Sequence, residues 1–267
     1  MTILDTIIAE KRQEVARLKE ANPPCGHCDF LCEASLYGPF ASRTSISFSD
    51  AIRRSTTGII AECKRKSPSK GWIFKEAEAV SVVKGYQAAG AAAVSVLTDG
   101  PHFGGSGQDL MAARSIAGLP LLRKDFIVDP LQVCQSKALG ADVILLIAAA
   151  LSPNEVRQLA SLAHSLSMEV LLEIHSEAEL ASLCDDVDVV GVNNRDLGSF
   201  EVSVETSIQL ADKIPDCFLK ISESGLSDAH TVKRLQQVGY KGFLMGETFM
   251  KEADPGAALA AFIMQLT

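Results

Sequence analysis

Long apolar runs are missing from this chain of 267 residues. The longest strongly apolar stretch extends only from Val143 to Leu151, whereas a membrane-spanning helix needs about 20 residues. A signal peptide is not expected either, because Asp5, Glu10, Lys11 and Arg12 interrupt any apolar core near the start. These absences predict a cytoplasmic protein with no membrane partner. Positive charge is also short. The net charge of −8 argues against non-specific nucleic-acid binding, which needs basic surface. It leaves room for a local basic site that takes an anionic metabolite.

Organised cysteine is lacking too. The seven cysteines are odd in number and scattered, which does not fit a disulfide framework. Cys25, Cys28 and Cys32 cluster around His27, but no second ligand pair stands at metal-site spacing, so no metal is expected. His102, His164, His175 and His230 show no paired spacing. Gly104-Gly105-Ser106-Gly107 is not a Gly-x-Ser-x-Gly elbow after a suitable strand. No dinucleotide glycine fingerprint follows the first strand.

What is present is a recurrence. Apolar runs end in charged or amide residues at Glu62 and Lys64, Lys124, Glu173, Asn193, Glu223 and Glu247. Short apolar runs between helical patterns read as buried parallel strands. Strands are expected at 58–64, 92–98, 119–125, 141–147, 169–174, 187–193, 217–222 and 242–246, with helices at 76–89, 130–139, 153–166 and 228–238. Their spacing is that of a barrel of roughly 250 residues. Gly90, Gly140 and Gly239 stand where left-handed helix ends are expected. The reading is an α/β fold, a single (β/α)8 TIM barrel (57–267) with an N-terminal helical extension (1–56). Ile3, Ile7 and Ile8 are expected to place that extension over the barrel mouth.

Polar groups at the C-terminal strand ends mark where such a barrel keeps its chemistry. Residues i and i+2 of a strand share a side, so Glu62 and Lys64 face the interior together, and Cys63 faces the helix layer. Arg65 and Lys66 are expected to add positive charge at the rim. Lys124 reads either as an acid whose pKa is lowered by burial and nearby cations, or as a structural ion pair with Asp125 or Glu173. Glu173 reads as a proton acceptor or the partner in such a pair. Asn193 and Glu223 suit polyol hydroxyls, and Arg195 suits an anion. Ser224-Gly225 and Gly246-Glu247 place glycines after the last two strands, where backbone N–H groups reach a phosphate. The Glu247 side chain must then turn away.

Several motifs, in order, resemble those of the indole-3-glycerol-phosphate synthase family. They are Ala61-Glu62-Cys63-Lys64-Arg65-Lys66-Ser67-Pro68-Ser69, Phe103-Gly104-Gly105-Ser106, and Arg123-Lys124-Asp125-Phe126 continuing to Pro130. Leu172-Glu173-Ile174-His175, Gly191 to Leu197, Ser222-Glu223-Ser224-Gly225 and Phe243 to Glu247 complete the series. Leu4-Asp5-Thr6-Ile7 with Lys11-Arg12 is similar to the family's first helix. The resemblance implies ring closure, decarboxylation and dehydration of 1-(2-carboxyphenylamino)-1-deoxyribulose 5-phosphate in tryptophan biosynthesis. It implies a carboxy-lyase that uses no cofactor.

By the same resemblance Lys124 is the acid and Glu173 the base. Lys64 meets the substrate carboxylate, while Glu62, Asn193 and Glu223 hold hydroxyls and the charged intermediate. Arg195, Ser224, Gly225, Gly246 and Glu247 fall on the phosphate side. Ser67, Pro68, Phe103, Phe126 and Leu145 shape an aromatic pocket. The expected partner is a small phosphorylated substrate, with the enzyme a monomer. Two rivals stand beside this reading: another phosphate-binding barrel enzyme, such as a phosphoribosyl aminoaldose isomerase, and a non-enzymatic phosphometabolite-binding barrel. The cysteine-containing stretch 24–32 departs from the family pattern.

Overall fold

The structure, a computed structural model, describes residues 2–21, 38–196 and 198–266. Eight parallel strands close into a barrel. They are β1 (Ile59–Cys63), β2 (Ala93–Leu97), β3 (Leu121–Lys124), β4 (Val143–Ile147), β5 (Glu169–Ile174), β6 (Val189–Asn193), β7 (Leu219–Glu223) and β8 (Gly242–Met245). Closure is made by β1 on β8, with Ile59 opposite Phe243 and Ala61 opposite Met245. The TIM barrel predicted from the alternation of strands and helices is the fold observed. The cluster of Cys25, Cys28, Cys32 and His27 lies outside the described residues.

Alternation along each strand divides the core in two. Ile59, Ala61 and Cys63 join helix residues such as Val83, Leu110 and Leu159 in an outer layer. Ile60, Leu122, Leu145, Leu171, Ile221 and Leu244 form a separate inner cluster. Each buried Leu or Ile contributes about 1.5–3 kcal/mol from apolar burial, and the two layers are filled mostly by such side chains. Helix ends follow local chemistry. Ser152 and Glu155 make a capping box beside Pro153. Gly90 and Gly140 close helices Ala79–Ala89 and Pro130–Leu139 at φ 94° and 91°, a region that an L side chain enters only at a cost.

Among the described residues, two helices precede the barrel. α1 (Ile3–Ala21) buries Leu4, Ile7, Lys11 and Val15, a spacing that lines one helix face. α2 (Phe48–Arg54) buries Phe48 and Ile52, which join the inner cluster, as Leu4 does. At the first residue of β5, Glu169 accepts from Ser49 N at 2.7 Å and Ser47 Oγ at 2.6 Å. This fixes α2 across the N-terminal end of the barrel.

The same end carries a buried ion cluster. Asp142, fully enclosed, accepts from Arg114 Nη1 at 2.7 Å, Leu121 N at 2.8 Å and Ile46 N at 2.7 Å, and pairs with Arg43. Removing one partner of a buried pair leaves an uncompensated charge. Asp142→Ala is therefore expected to cost about 3–5 kcal/mol of stability, read from urea unfolding. A loss below about 1 kcal/mol, the scale of an exposed pair, would contradict this assignment.

Candidate active site

A cavity of about 500 Å³ opens at the C-terminal ends of the strands. It brings together Glu62, Lys64, Ser67, Pro68, Phe103, Lys124, Phe126, Leu145, Glu173, Asn193, Arg195, Glu223, Ser224, Gly225, Gly246 and Glu247. The residues given catalytic or substrate-binding roles in the sequence analysis thus line one space, whereas Arg65 and Lys66 do not. Residues reached without any sequence signal are Lys70, Phe200, Val202, Thr248 and Lys251. Ile3, Leu4 and Ile7 of α1 also line the cavity, whereas Ile8 packs against the two apolar clusters instead.

The strand ends set the charges. Lys64 Nζ lies 2.6 Å from Glu62 Oε1. Lys124 Nζ lies 2.8 Å from Glu173 Oε2 and 3.1 Å from Glu223 Oε2. Asn193 Nδ2 donates to the other Glu173 oxygen at 3.1 Å. Three carboxylates therefore meet two ammonium groups in a space where each carboxylate side chain is at most 5% exposed. The imbalance shows in the titration of the pair around Lys124. Burial raises Glu223, Lys124 opposes that, and the charge on Glu173 adds to it, so Glu223 is pushed up to about 7. Glu173 is also penalised by burial but is held down by Lys124, His175 and Asn193.

One expectation is corrected here. Of the two readings of Lys124, the ion pair with Glu173 is present, but the lowered pKa expected of the acid is not found. Burial does act that way, but Glu173, Glu223 and Glu62 outweigh it and raise the ammonium above its ordinary value. Lys64 is itself paired with Glu62. Arg65 and Lys66 are corrected as well. Arg65 makes a bidentate pair with Asp109 at 2.7 and 2.8 Å and also donates to Ala77 O and Gly104 O. Lys66 donates to Pro101 O at 2.8 Å. Both pin the first loop to the second, and neither lines the cavity.

The phosphate side is built on turns. Ser224 and Gly225 follow β7 with φ of 66° and 73°. Asn194 ties this turn to β6 by donating to Ser222 Oγ and Ser224 O, both at 3.0 Å. Glu247 pairs with Lys70, so its side chain is neutralised by a residue of the first loop. Gly246 has φ of −130° and is constrained by space: a Cβ there would sit 2.7 Å from Glu62 Oε1. A larger residue at 246 would displace Glu62. Phe103 and Phe126 lie 6.0 Å apart at 41° and form an apolar wall. His175, 3.4 Å from Glu173 Oε1, supports that carboxylate from outside the cavity.

A closed parallel barrel with such a mouth defines a TIM-barrel enzyme. Solved structures agree on the fold alone. A mutant tryptophan synthase alpha-subunit from Pyrococcus furiosus superposes with TM-score 0.60 at 14% identity, covering 79% of this chain and 97% of that one. The 3-hexulose-6-phosphate synthase of Salmonella typhimurium gives 0.59 at 13%, covering 79% and 100%. Sequence comparison is more specific. The profile of the indole-3-glycerol phosphate synthase family matches residues 4–262. Indole-3-glycerol phosphate synthases from Bacteroides thetaiotaomicron and Chromobacterium violaceum are 48% and 43% identical to this chain. The first match covers 98% of this chain and 97% of the relative, and the second 97% and 96%. The chain belongs to the indole-3-glycerol phosphate synthase family.

The raised Glu223 yields a signed prediction. Its carboxyl binds a proton more tightly folded than unfolded. That contribution to stability is complete below about 4.5 and is lost as pH rises through about 7. Glu223→Gln removes the liability, so its melting temperature should gain on the parent by a few degrees more at pH 8 than at pH 5. An equal difference at both pH values would contradict the raised pKa.

Proposed function

We propose that this chain converts 1-(2-carboxyphenylamino)-1-deoxyribulose 5-phosphate to indole-3-glycerol phosphate, carbon dioxide and water, a carboxy-lyase step of tryptophan biosynthesis. The observation that carries the reading is the Lys124–Glu173 pair, a cation and a carboxylate from different strands 2.8 Å apart in the cavity. The family match over residues 4–262 gives it a substrate.

The chemistry asks for a donor at a ketone oxygen. As the ring carbon bearing the carboxylate attacks the ketone carbon, that oxygen becomes an alkoxide. Lys124 is the donor in this proposal. Its raised pKa keeps it charged until the alkoxide, a far stronger base than an amine, forms beside it. A group that acts on charge appearing only in the transition state accelerates the step. Loss of carbon dioxide leaves its bonding electrons with the ring system. The new hydroxyl then departs as water with a proton from Lys64, or from Lys124 after solvent has reprotonated it, and Glu173 accepts the proton lost from carbon. No electrons enter or leave, so the balance needs no redox group.

Lys64 is proposed to meet the substrate carboxylate, exchanging Glu62 for it. Asn193, Glu223 and Glu62 hold hydroxyls. Arg195, Ser224, Gly225, Gly246 and Glu247 take the phosphate side, with Glu247 acting through its backbone. Ser67, Pro68, Phe103, Phe126 and Leu145 hold the aromatic ring. Within the extension 1–56, α1 is proposed as the cap on the mouth of the barrel 57–267, which accords with Ile3, Leu4 and Ile7 lining the cavity, whereas α2 packs at the opposite end. A cytoplasmic monomer completes the proposal. Among the described residues, no helix is long and apolar enough to cross a membrane.

The test is an indole chromophore formed when the purified protein meets this substrate. No chromophore, or isomerisation of a phosphoribosyl aminoaldose instead, would overturn the proposal. Lys124→Met should lower kcat on the order of 10²- to 10⁴-fold with a smaller effect on substrate binding. Turnover within about threefold of the parent would remove Lys124 from the role.

A further inference from the structure

The apolar face of α1 contains one residue that does not belong there by hydropathy. Leu4, Ile7 and Val15 are buried, and so is Lys11, at 4% exposure. Its ammonium lies 3.1 Å from Asp99 Oδ1, 3.1 Å from Asp125 Oδ1 and 3.0 Å from Glu14 Oε2. Asp99 and Asp125 are themselves 1% and 3% exposed at the side chain. Lysines are almost never buried unless paired. Here the pairing is to two aspartates from different barrel loops.

Each aspartate does a second job. Asp99 accepts the His102 backbone N–H at 2.9 Å and caps the short helix Gly100–Phe103. Asp125 follows Lys124 directly, accepts the Phe126 N–H at 2.8 Å, and is held by Arg123 at 2.9 Å and Thr98 at 2.5 Å. The two segments that meet at Lys11 therefore end in Phe103 and Phe126, the two rings of the apolar wall. The second segment also carries Lys124.

We propose that Lys11 is a positioning residue, which ties α1 to the loops after β2 and β3 and so sets the spacing of Phe103 and Phe126 and the placement of Lys124. This rests on the reaction proposed above. It gives α1 a role in aligning the reacting groups, beyond covering the cavity. Lys11 does not line the cavity. Its effect passes through the backbone that Asp99 and Asp125 hold.

The single tryptophan gives a readout independent of turnover. The Trp72 ring packs beside Gly104, where a Cβ would lie 2.7 Å from it, and Gly104 ends the helix that Asp99 caps. Three full-length variants are compared with the parent for kcat/KM and for acrylamide quenching of Trp72. Lys11→Met should lower kcat/KM on the order of 10²-fold, the scale of a misplaced reacting group, and should make Trp72 easier to quench. Lys11→Arg, which keeps the charge, should recover to within about 10-fold of the parent, since part of Lys geometry is lost.

Asp99→Asn retains a capping side chain and loses only the charge toward Lys11. It should cost on the order of 10-fold in kcat/KM, and it decides alone if Lys11→Met does not fold. The proposal is overturned if Lys11→Met and Asp99→Asn both stay within about threefold of the parent. It is overturned equally if activity falls with Trp72 quenching unchanged, or if Lys11→Arg recovers nothing. A parent that forms no indole product refutes the assigned reaction instead, and Trp72 quenching in Lys11→Met still tests the positioning link.

Discussion

Lys124 is surrounded by carboxylates that are almost wholly buried. Its ammonium bridges Glu173 on β5 and Glu223 on β7, and Lys64 is occupied by Glu62. At low exposure such charges interact far more strongly than in water. With three carboxylates to two ammonium groups, one carboxyl is driven towards its neutral form. Glu223 is that group, because Glu173 also has Asn193 and His175 to hold its charge. Glu223 Oε1, by contrast, is buried without a hydrogen-bond partner. The cavity is thus organised as a charged donor flanked by one ionised and one largely neutral acid. That is the asymmetry an acid–base reaction needs.

The scaffold makes room for this arrangement and then holds it. Gly191 on β6 and Gly246 after β8 carry no side chain where Glu223 and Glu62 stand, and a Cβ at either would strike the carboxylate beside it. At the closed end of the barrel, Asp142 gathers Arg114 and Arg43 and ties the segment before α2 to β3 and β4. At the open end, Lys11 gathers Asp99 and Asp125. Buried ion clusters at both ends sit where strands give way to loops and apolar packing alone would leave polar backbone unmatched.

Much of this was legible in the sequence, because strand ends and cavity are linked by geometry. An apolar run with a polar last residue fixes both a buried parallel strand and the direction of its final side chain. Glu62, Lys64, Lys124, Glu173, Asn193 and Glu223 followed from that rule, and the fold from their recurrence. Four kinds of information were not legible. The sign of the shift at Lys124 depends on which charges are nearest in space, and the spacing of residues could not show that Glu223 shares the pair. Arg65 carries the same charge wherever it points, so only the structure distinguishes an anion site from a clamp on Asp109. Phe200 and Val202 reach the cavity from a loop with no periodicity, and Lys70 does so through a long flexible stem. Lys11 stood in plain view as the polar member of an otherwise apolar helix face, but its partners lie in loops about 90 and 110 residues away, a distance that no local pattern spans.

The asymmetry around Lys124 is the claim on which the rest turns, and a ¹³C-detected titration of labelled glutamate carboxyls tests it most directly. Signals can be assigned with Glu173→Gln and Glu223→Gln variants. The account predicts that Glu223 takes up its proton near neutral pH, around the value of about 7 that its surroundings impose, while Glu173 stays ionised far into acid. A Glu223 that titrates like an exposed glutamate, or a Glu173 that takes the neutral-range proton in its place, would contradict it.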